Sequence, residues 1–542
     1  MLVAIVLSSF TALAQGSNQK PATQPAGGYR VAGVVVSKVD GRPLPKARII
    51  LRDSRNPRQF EGLITADDGK FEFIGLPARK FSLTGSKKGF ITSAYDQHEN
   101  FWTAIVTGAG LDTEHLTLKL APSAIITGKV LDEAGEPVRN AVVQIFFDNP
   151  VEGVDEIRRF QTSETNDLGV YELAALIPGT YFLSVSARPW YALHPRNDLG
   201  GEAEKENAAS GDFDHSLDVA YPTTYYADVL DAESATPIPI RGGERLEIDL
   251  HLNPVPALRL VFHVPNPKDN SIVFPRLEQP AFDGSSGVQA LPRFISPGVV
   301  EMIGVPAGHY NIRLQGPTLS SKVAGVDLTK DGEDVDLSNA EPTSTVKLSV
   351  KLPGEPSLPP DLAVVLHGEG RVYSNWKKLD AKGEAEIDQV PAGRYEIVPW
   401  GARKPVAVAS LSSQDAEIAG HMVVVRPGSS SSVSVTLATG QSDLNGSIKR
   451  AGKPFAGAMV VLAPTDPENY RDLFRRDQSD LDGTFTMRNV IPGSYTIFAI
   501  ENGWDLEWSK PEIIAPYAKH GRKVEIGPRT VELSEAIEVQ PK

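Results

Sequence analysis

Residues 125–147 read IITGKVLDEAGEPVRNAVVQIFF, and residues 165–187 read TNDLGVYELAALIPGTYFLSVSA. The run Ile125–Leu131 is rich in β-branched residues and alternates enough to bury one face of a pleated strand. It stops at Gly135-Glu136-Pro137, where glycine accepts a positive φ and proline fixes its own, so the chain reverses. Ala141 then leaves room for close packing beside a second strand. Asn166-Asp167-Leu168-Gly169 punctuates a hairpin before Tyr171 and Leu173, whose spacing of two puts both on one face. Pro178-Gly179 finally turns the chain into Tyr181-Phe182-Leu183, a strand that opens on an aromatic core anchor.

The same pattern recurs on both sides. Residues 31–51 and 65–90 carry it as Gly41-Arg42-Pro43, Ala47, Asp67-Asp68-Gly69 and Phe71–Phe73. Residues 443–464 and 479–503 carry it as Gly452-Lys453-Pro454, Ala458, Asp480-Leu481-Asp482-Gly483 and Phe485–Met487. Between them only second halves persist, VVEMIGVPAGHYNIRL from Val299 and GEAEIDQVPAGRYEIVPWG from Gly383. Self-similarity of this kind sets an architecture before any single motif does. Helical periodicity is nearly absent, and short strands separated by turn signals every 8–12 residues or so predict antiparallel sandwiches. The expectation is an all-β chain, a tandem array of about five antiparallel Ig-like β-sandwich modules. They are placed at 29–121, 122–254 with an insertion at 190–240, 255–340, 341–440 and 441–542, the third and fourth being divergent.

Size and composition agree with this division. A chain of 542 residues is too long for one hydrophobic core. The 42 prolines and 47 glycines suit frequent turns between short strands. A net charge of −14 argues against nucleic acid as a partner, because phosphate binding draws on clustered Lys and Arg. There is no cysteine, which removes disulfides, thiolate metal sites and a thiol nucleophile together. Residues 1–14, MLVAIVLSSFTALA, pair a short apolar run with small residues in an A-x-A pattern and read as a signal peptide. Residues 15–28 read as a flexible lead-in, and no other stretch is apolar for long enough to span a bilayer. The protein is therefore expected in the periplasm, at the outer surface or outside the cell, with protein or glycan partners at the envelope.

Gly-x-Pro with a following Ala, then Asp-x-x-Gly-x-Phe with Leu-Pro-x-Gly-x-Tyr, resembles the carboxypeptidase regulatory-like family. That resemblance implies a transthyretin-like seven-stranded sandwich, related to collagen-adhesin B-type repeats, and a large exported bacterial protein built from such repeats. In its namesake enzymes the domain accompanies a zinc peptidase, whose sequence is missing here.

The chemistry-bearing motifs are sparse. Neither H-E-x-x-H nor His-x-x-Glu occurs, nor a Gly-x-Ser-x-Gly elbow or a phosphate-binding loop. No catalytic, metal or cofactor-binding residue is assigned, no cofactor is expected, and a hydrolase is the remote alternative. Asp67-Asp68-Gly69 and Asp480–Gly483 invite a calcium reading, but the same place becomes Asn166-Asp167-Leu168-Gly169 in the second copy, so turn chemistry explains them. Trp504 and Trp508, near Glu501 and Glu507, read as core filling. One feature stands apart, the insertion 190–240. It brings Trp190, Tyr191, Tyr221, Tyr225 and Tyr226 into one long loop, where aromatics could stack on a sugar ring or grip a peptide. The competing reading has these rings covering a sheet face and closing the sandwich. The expected function is a non-catalytic scaffold or adhesion-type protein, with carbohydrate or peptide binding by this insertion as the alternative.

Overall fold

The computed structural model describes residues 28–542 except 109, 152, 195–214, 265–272, 283, 289, 316–319, 338–342, 356, 369–375, 402–405 and 440–441. The expected signal peptide, all but the last residue of the lead-in and residues 195–214 of the insertion lie outside the described residues.

Strands fall into five successive groups, each two sheets closed around its own apolar core. The first shows the plan. Lys70–Leu76, Tyr29–Ser37 and Leu116–Leu120 form one sheet, and Phe60–Ile64, Arg48–Asp53 and Lys80–Ser86 form the backbone of the other. Alternate residues such as Phe71, Phe73, Ile49, Leu51 and Leu83 meet between them. The expected all-β array of Ig-like sandwiches is thus the fold. Pairing departs from fully antiparallel at one recurring place. The first strand of each group runs parallel to its last, as at Gly33↔Leu116, Ile126↔Leu246, Leu260↔Glu333, Leu348↔Val433 and Leu444↔Val531. The last strand crosses over from the opposite sheet instead of returning by a hairpin, so it arrives pointing the same way as the first.

The repeated residues serve repeated bonds. Ala47, Ala141 and Ala458 are fully buried. Their N–H groups donate to the hydroxyls of Thr65, Thr165 and Ser479 at 2.9, 2.8 and 2.9 Å, and those hydroxyls donate onward to the carbonyls of Leu44, Val138 and Phe455. In four modules the tyrosine after the Pro turn donates to the carbonyl four residues earlier: Tyr181 to Ile177, Tyr310 to Pro306, Tyr395 to Pro391 and Tyr495 to Ile491, at 2.6–2.9 Å. The first module has Phe81 in that place, and the Thr107 hydroxyl bonds to Pro77 O at 2.6 Å instead. A buried polar pair is kept although its donor comes from another strand.

The modules are not strung out in a line. The last module docks on the first across nearly 400 residues of sequence. Gln478 Nε2 donates to Asp96 O at 2.6 Å and to Thr103 Oγ1 at 2.8 Å. Asp480 accepts from Ala104 N at 2.9 Å and pairs with Lys80 Nζ at 2.5 Å, and Leu481 N donates to Ala104 O at 3.1 Å. The Leu481 side chain packs against the first module's core. Arg476 forms a two-pronged pair with Glu99 at 2.9 and 2.7 Å, the geometry that makes Arg–carboxylate pairs directional. Trp504 stacks on His98 of the first module, with centroids 5.1 Å apart. The last module also touches the second, where Ser509 Oγ donates to Gly153 O at 3.1 Å and a Cβ on Gly153 would meet Trp508 at 2.6 Å.

Candidate functional site

Trp190, Tyr191, Tyr221, Tyr225 and Tyr226 of the insertion do not share one groove. Trp190 is 88% exposed and meets Tyr191 edge to face, centroids 5.9 Å apart. The Tyr191 hydroxyl donates to Glu133 Oε1, and the buried Tyr221 donates to Glu133 Oε2 at 2.9 Å. Burial works against the Glu133 carboxylate, yet the hydrogen bonds from Tyr191, its own backbone and Tyr221 outweigh it and hold its pKa below the usual range. Burial and the same carboxylate push Tyr191 up to about 12 and Tyr221 higher still. Both tyrosines therefore act as hydrogen-bond donors, not bases.

Tyr225 and Tyr226 lie elsewhere. Tyr225 is fully buried where the second and third modules meet, in a cluster with Phe146 and Ala281, and edge-on to Phe282 at 5.8 Å. Its hydroxyl has no hydrogen-bond partner among the described residues, and burial raises its pKa to about 12. Tyr226 packs against the second module's core, and its carbonyl accepts from Thr236 N at 2.6 Å. Much of the insertion therefore serves packing: Thr224–Tyr225 and Ile238–Ile240 both extend the sheet of Gly179–Ser186.

A wide concavity lies where the first, second and last modules converge. It is a cleft of about 1500 Å3 walled by Lys38 and Lys119, by Gln97 and Phe101 of the first module's segment Asp96–Ala104, and by Arg476 and Trp508 opposite. The Arg476 guanidinium lies 4.1 Å from the Trp508 ring centroid while holding Glu99. Arg475, beside it, gives its Nη1 to the carbonyls of Asp472 and Phe474 at 2.7 Å, and burial lowers its pKa. Beneath the docking contact, burial raises Asp477 to about 6, against bonds from Thr486 N and Gln478 N. Burial likewise raises Asp480, opposed by Lys80. Arg476 and Asp480 are thus spent on holding two modules together, while Arg475 and Asp477 bond within the last module. No sequence signal pointed to this cleft, because its walls come from modules far apart in the chain. Trp504 and Trp508, read as core filling, fill the space between modules as well as their own small cluster.

The turn carboxylates are likewise committed. Asp68 Oδ1 accepts Lys70 N at 3.1 Å, Asp482 Oδ1 accepts Thr484 N at 3.0 Å, and Asn166 Oδ1 serves Leu168 N and Val170 N in the same way. Among the described residues no helix is long and apolar enough to cross a membrane.

Comparison with known proteins adds one firm point. Residues 30–119 match the carboxypeptidase regulatory-like domain family. This carboxypeptidase regulatory-like segment is the first module, and the second and last modules repeat its buried Ala–hydroxyl bond. No curated protein matches the chain. Among solved structures the chain is similar to the Bacillus anthracis TIE protein, at 12% identity and TM-score 0.18, over 76% of this chain and 75% of that one. It is also similar to GBS52, the minor pilin of Streptococcus agalactiae, at 12% identity and TM-score 0.21, over 42% and 97%. The major pilin subunit BcpA of Bacillus cereus follows at 10% identity and TM-score 0.13, over 77% and 99%. Scores this low carry no weight for fold or role.

Proposed function

We propose that the protein is a non-catalytic scaffold or adhesion-type protein acting outside the cytoplasm, and that it works as a closed body instead of an extended spacer. The observation that carries this reading is the docking of the last module on the first. Gln478, Asp480, Arg476 and Glu99 give up their hydrogen-bonding capacity to that contact, and an enzyme would need such groups for substrate. The repeated hydroxyls, those of Thr65, Thr165 and Ser479 and of Tyr181, Tyr310, Tyr395 and Tyr495, are bonded to the backbone of their own modules. Export is supported by the composition of residues 1–14. Purified protein is expected to turn over none of a panel of ester, glycoside and peptide substrates, with or without added divalent metal. Turnover abolished by one substitution in the cleft, such as Lys119→Ala, would overturn the reading.

A second reading is favoured by the exposure of Trp190. Trp190 and Tyr191 offer a ring surface to a sugar or peptide beside Glu133, which Tyr221 helps to fix, while Tyr225 and Tyr226 support the loop from within. Loss of glycan- or peptide-array binding in Trp190→Ala, with Tyr226→Ala reducing stability instead, is the outcome this reading requires.

A further inference from the structure

A pair of exposed tryptophans lies on the fourth module, away from both regions described above. Strand Ala363–Gly368 has Lys377–Lys378 on one side and Gly393–Trp400 on the other. Ala363 is paired with both Lys378 and Trp400, and Val365 with Val398. Val364, Leu366, Leu379 and Ile397 belong to the module's core. By alternation, Lys378, Ala363, Trp400, Val365 and Val398 lie on the outer face, and the exposed Trp376 stands just before the edge strand, two positions from Lys378. Trp376 is 63% and Trp400 68% exposed. Two strand spacings across and two residues along place them roughly 12 Å apart. Between them Ala363 is covered and Val365 and Val398 are half-buried, so two large rings flank a low apolar floor.

We propose that Trp376 and Trp400 form a stacking platform for a neutral oligosaccharide. Single exposed apolar residues are ordinary on a protein surface, but here two of the six tryptophans stand exposed at one sheet, Trp400 on its outer face and Trp376 at the start of its edge strand. The area decides what kind of partner fits. Two indole faces and their floor offer a few hundred Å2 at most, well short of the ~800 Å2 per side that a stable protein interface buries. Extending the contact to protein size would take in Lys378 and the His367–Glu396 pair, which lies on the same face at 3.7 Å. A pyranose ring matches the small platform better, with a flat C–H face for each indole and hydroxyls at its rim for those polar neighbours. The spacing of the two rings suits an extended sugar chain that lays alternate units on them. One lysine and one His–Glu pair give the face no strong charge, which favours a neutral chain over an acidic one.

The inference is independent of the scaffold reading and of Trp190. Cellohexaose, xylohexaose and chitohexaose are titrated into the full-length protein while tryptophan emission is followed. At least one is expected to give a saturable change, weakened about tenfold by Trp376→Ala and by Trp400→Ala separately and retained in Trp190→Ala. Both rings face solvent, so both variants should keep the parent circular dichroism and Tm, and Trp400→Phe should keep most of the affinity. No saturable change with any of the three sugars would overturn the proposal, as would binding that survives both substitutions. A shift from dimer to monomer in sedimentation of the double variant would also overturn it, by showing that a second copy covers the face.

Discussion

The hairpin turns of the second and last modules are built from the same local instructions and end in different places. Asn166-Asp167-Leu168-Gly169 and Asp480-Leu481-Asp482-Gly483 both close on a glycine in the left-handed region, at φ +69° and +77°. Each glycine carbonyl accepts from the first strand of its own module, at Val130 N and Ile448 N. In the second module Asn166 spends its side chain on the turn itself, and Leu168 stands 67% exposed. In the last module Asp480 reaches across to Ala104 N and Lys80, and its neighbour Leu481 packs on the first module's core. Turn geometry is therefore set locally, whereas docking depends on what stands opposite: the Ala104 amide and Lys80 of strand Lys80–Ser86 complement the aspartate, and the Ala104 carbonyl takes the Leu481 N–H.

Asp480→Ala breaks this difference most severely, because it leaves the Ala104 amide without its acceptor and the Lys80 ammonium without its counter-charge inside a contact. A loss of about 2–5 kcal/mol from the docking is expected, seen as a lower first unfolding transition. Asn166→Ala should lower stability by only about 1 kcal/mol, within the second module. Equal effects at the two sites would mean that the docking contributes nothing.

The pH dependence comes next. Burial gives Asp477 a folded pKa of about 6 against the ordinary 3.8, so the folded last module binds its proton more tightly than the unfolded chain does. This stabilisation is complete below pH 3.8 or so and is lost as pH rises through about 6, amounting to at most about 3 kcal/mol. Asp477→Asn should flatten that slope in thermal melts between about pH 4 and 7. The leucines give a smaller contrast. Leu481→Ser should cost about 2 kcal/mol of docking and Leu168→Ser less than about 0.5, as compared by denaturant unfolding. Smaller still is Tyr225→Phe, which removes a buried hydroxyl that has no partner among the described residues. It should stabilise the junction of the second and third modules by about 1 kcal/mol, and a marked loss would show that the hydroxyl has work to do.

The sandwich was legible in the sequence because each of its devices is local. Gly-x-Pro, the buried alanine, the Asp-x-x-Gly hairpin and Pro-x-Gly-x-Tyr each lie within one short stretch and recur. The parallel pairing of first and last strands was not legible, since no short stretch encodes a crossover. Nor was the docking, whose two sides are separated by most of the chain. The insertion was recognised as a departure from the repeat, but composition alone could not separate an exposed Trp190 from a buried Tyr225, because aromatic residues occupy both surface and core. Trp376 and Trp400 were passed over for the opposite reason, as they sit inside an eroded copy whose strand pairing only the structure supplies.

The central claim is that the first and last modules are held against each other, and amide hydrogen exchange in the full-length chain tests it most directly. The Ala104 and Leu481 amides bond across the contact, to Asp480 Oδ1 and to Ala104 O. Peptides carrying them should be protected together in the parent protein and should lose that protection together in Asp480→Ala, while the Val130 amide keeps its own. Exchange of both amides at the rate of an exposed loop in the parent protein would contradict the closed arrangement and return the molecule to a string of independent sandwiches.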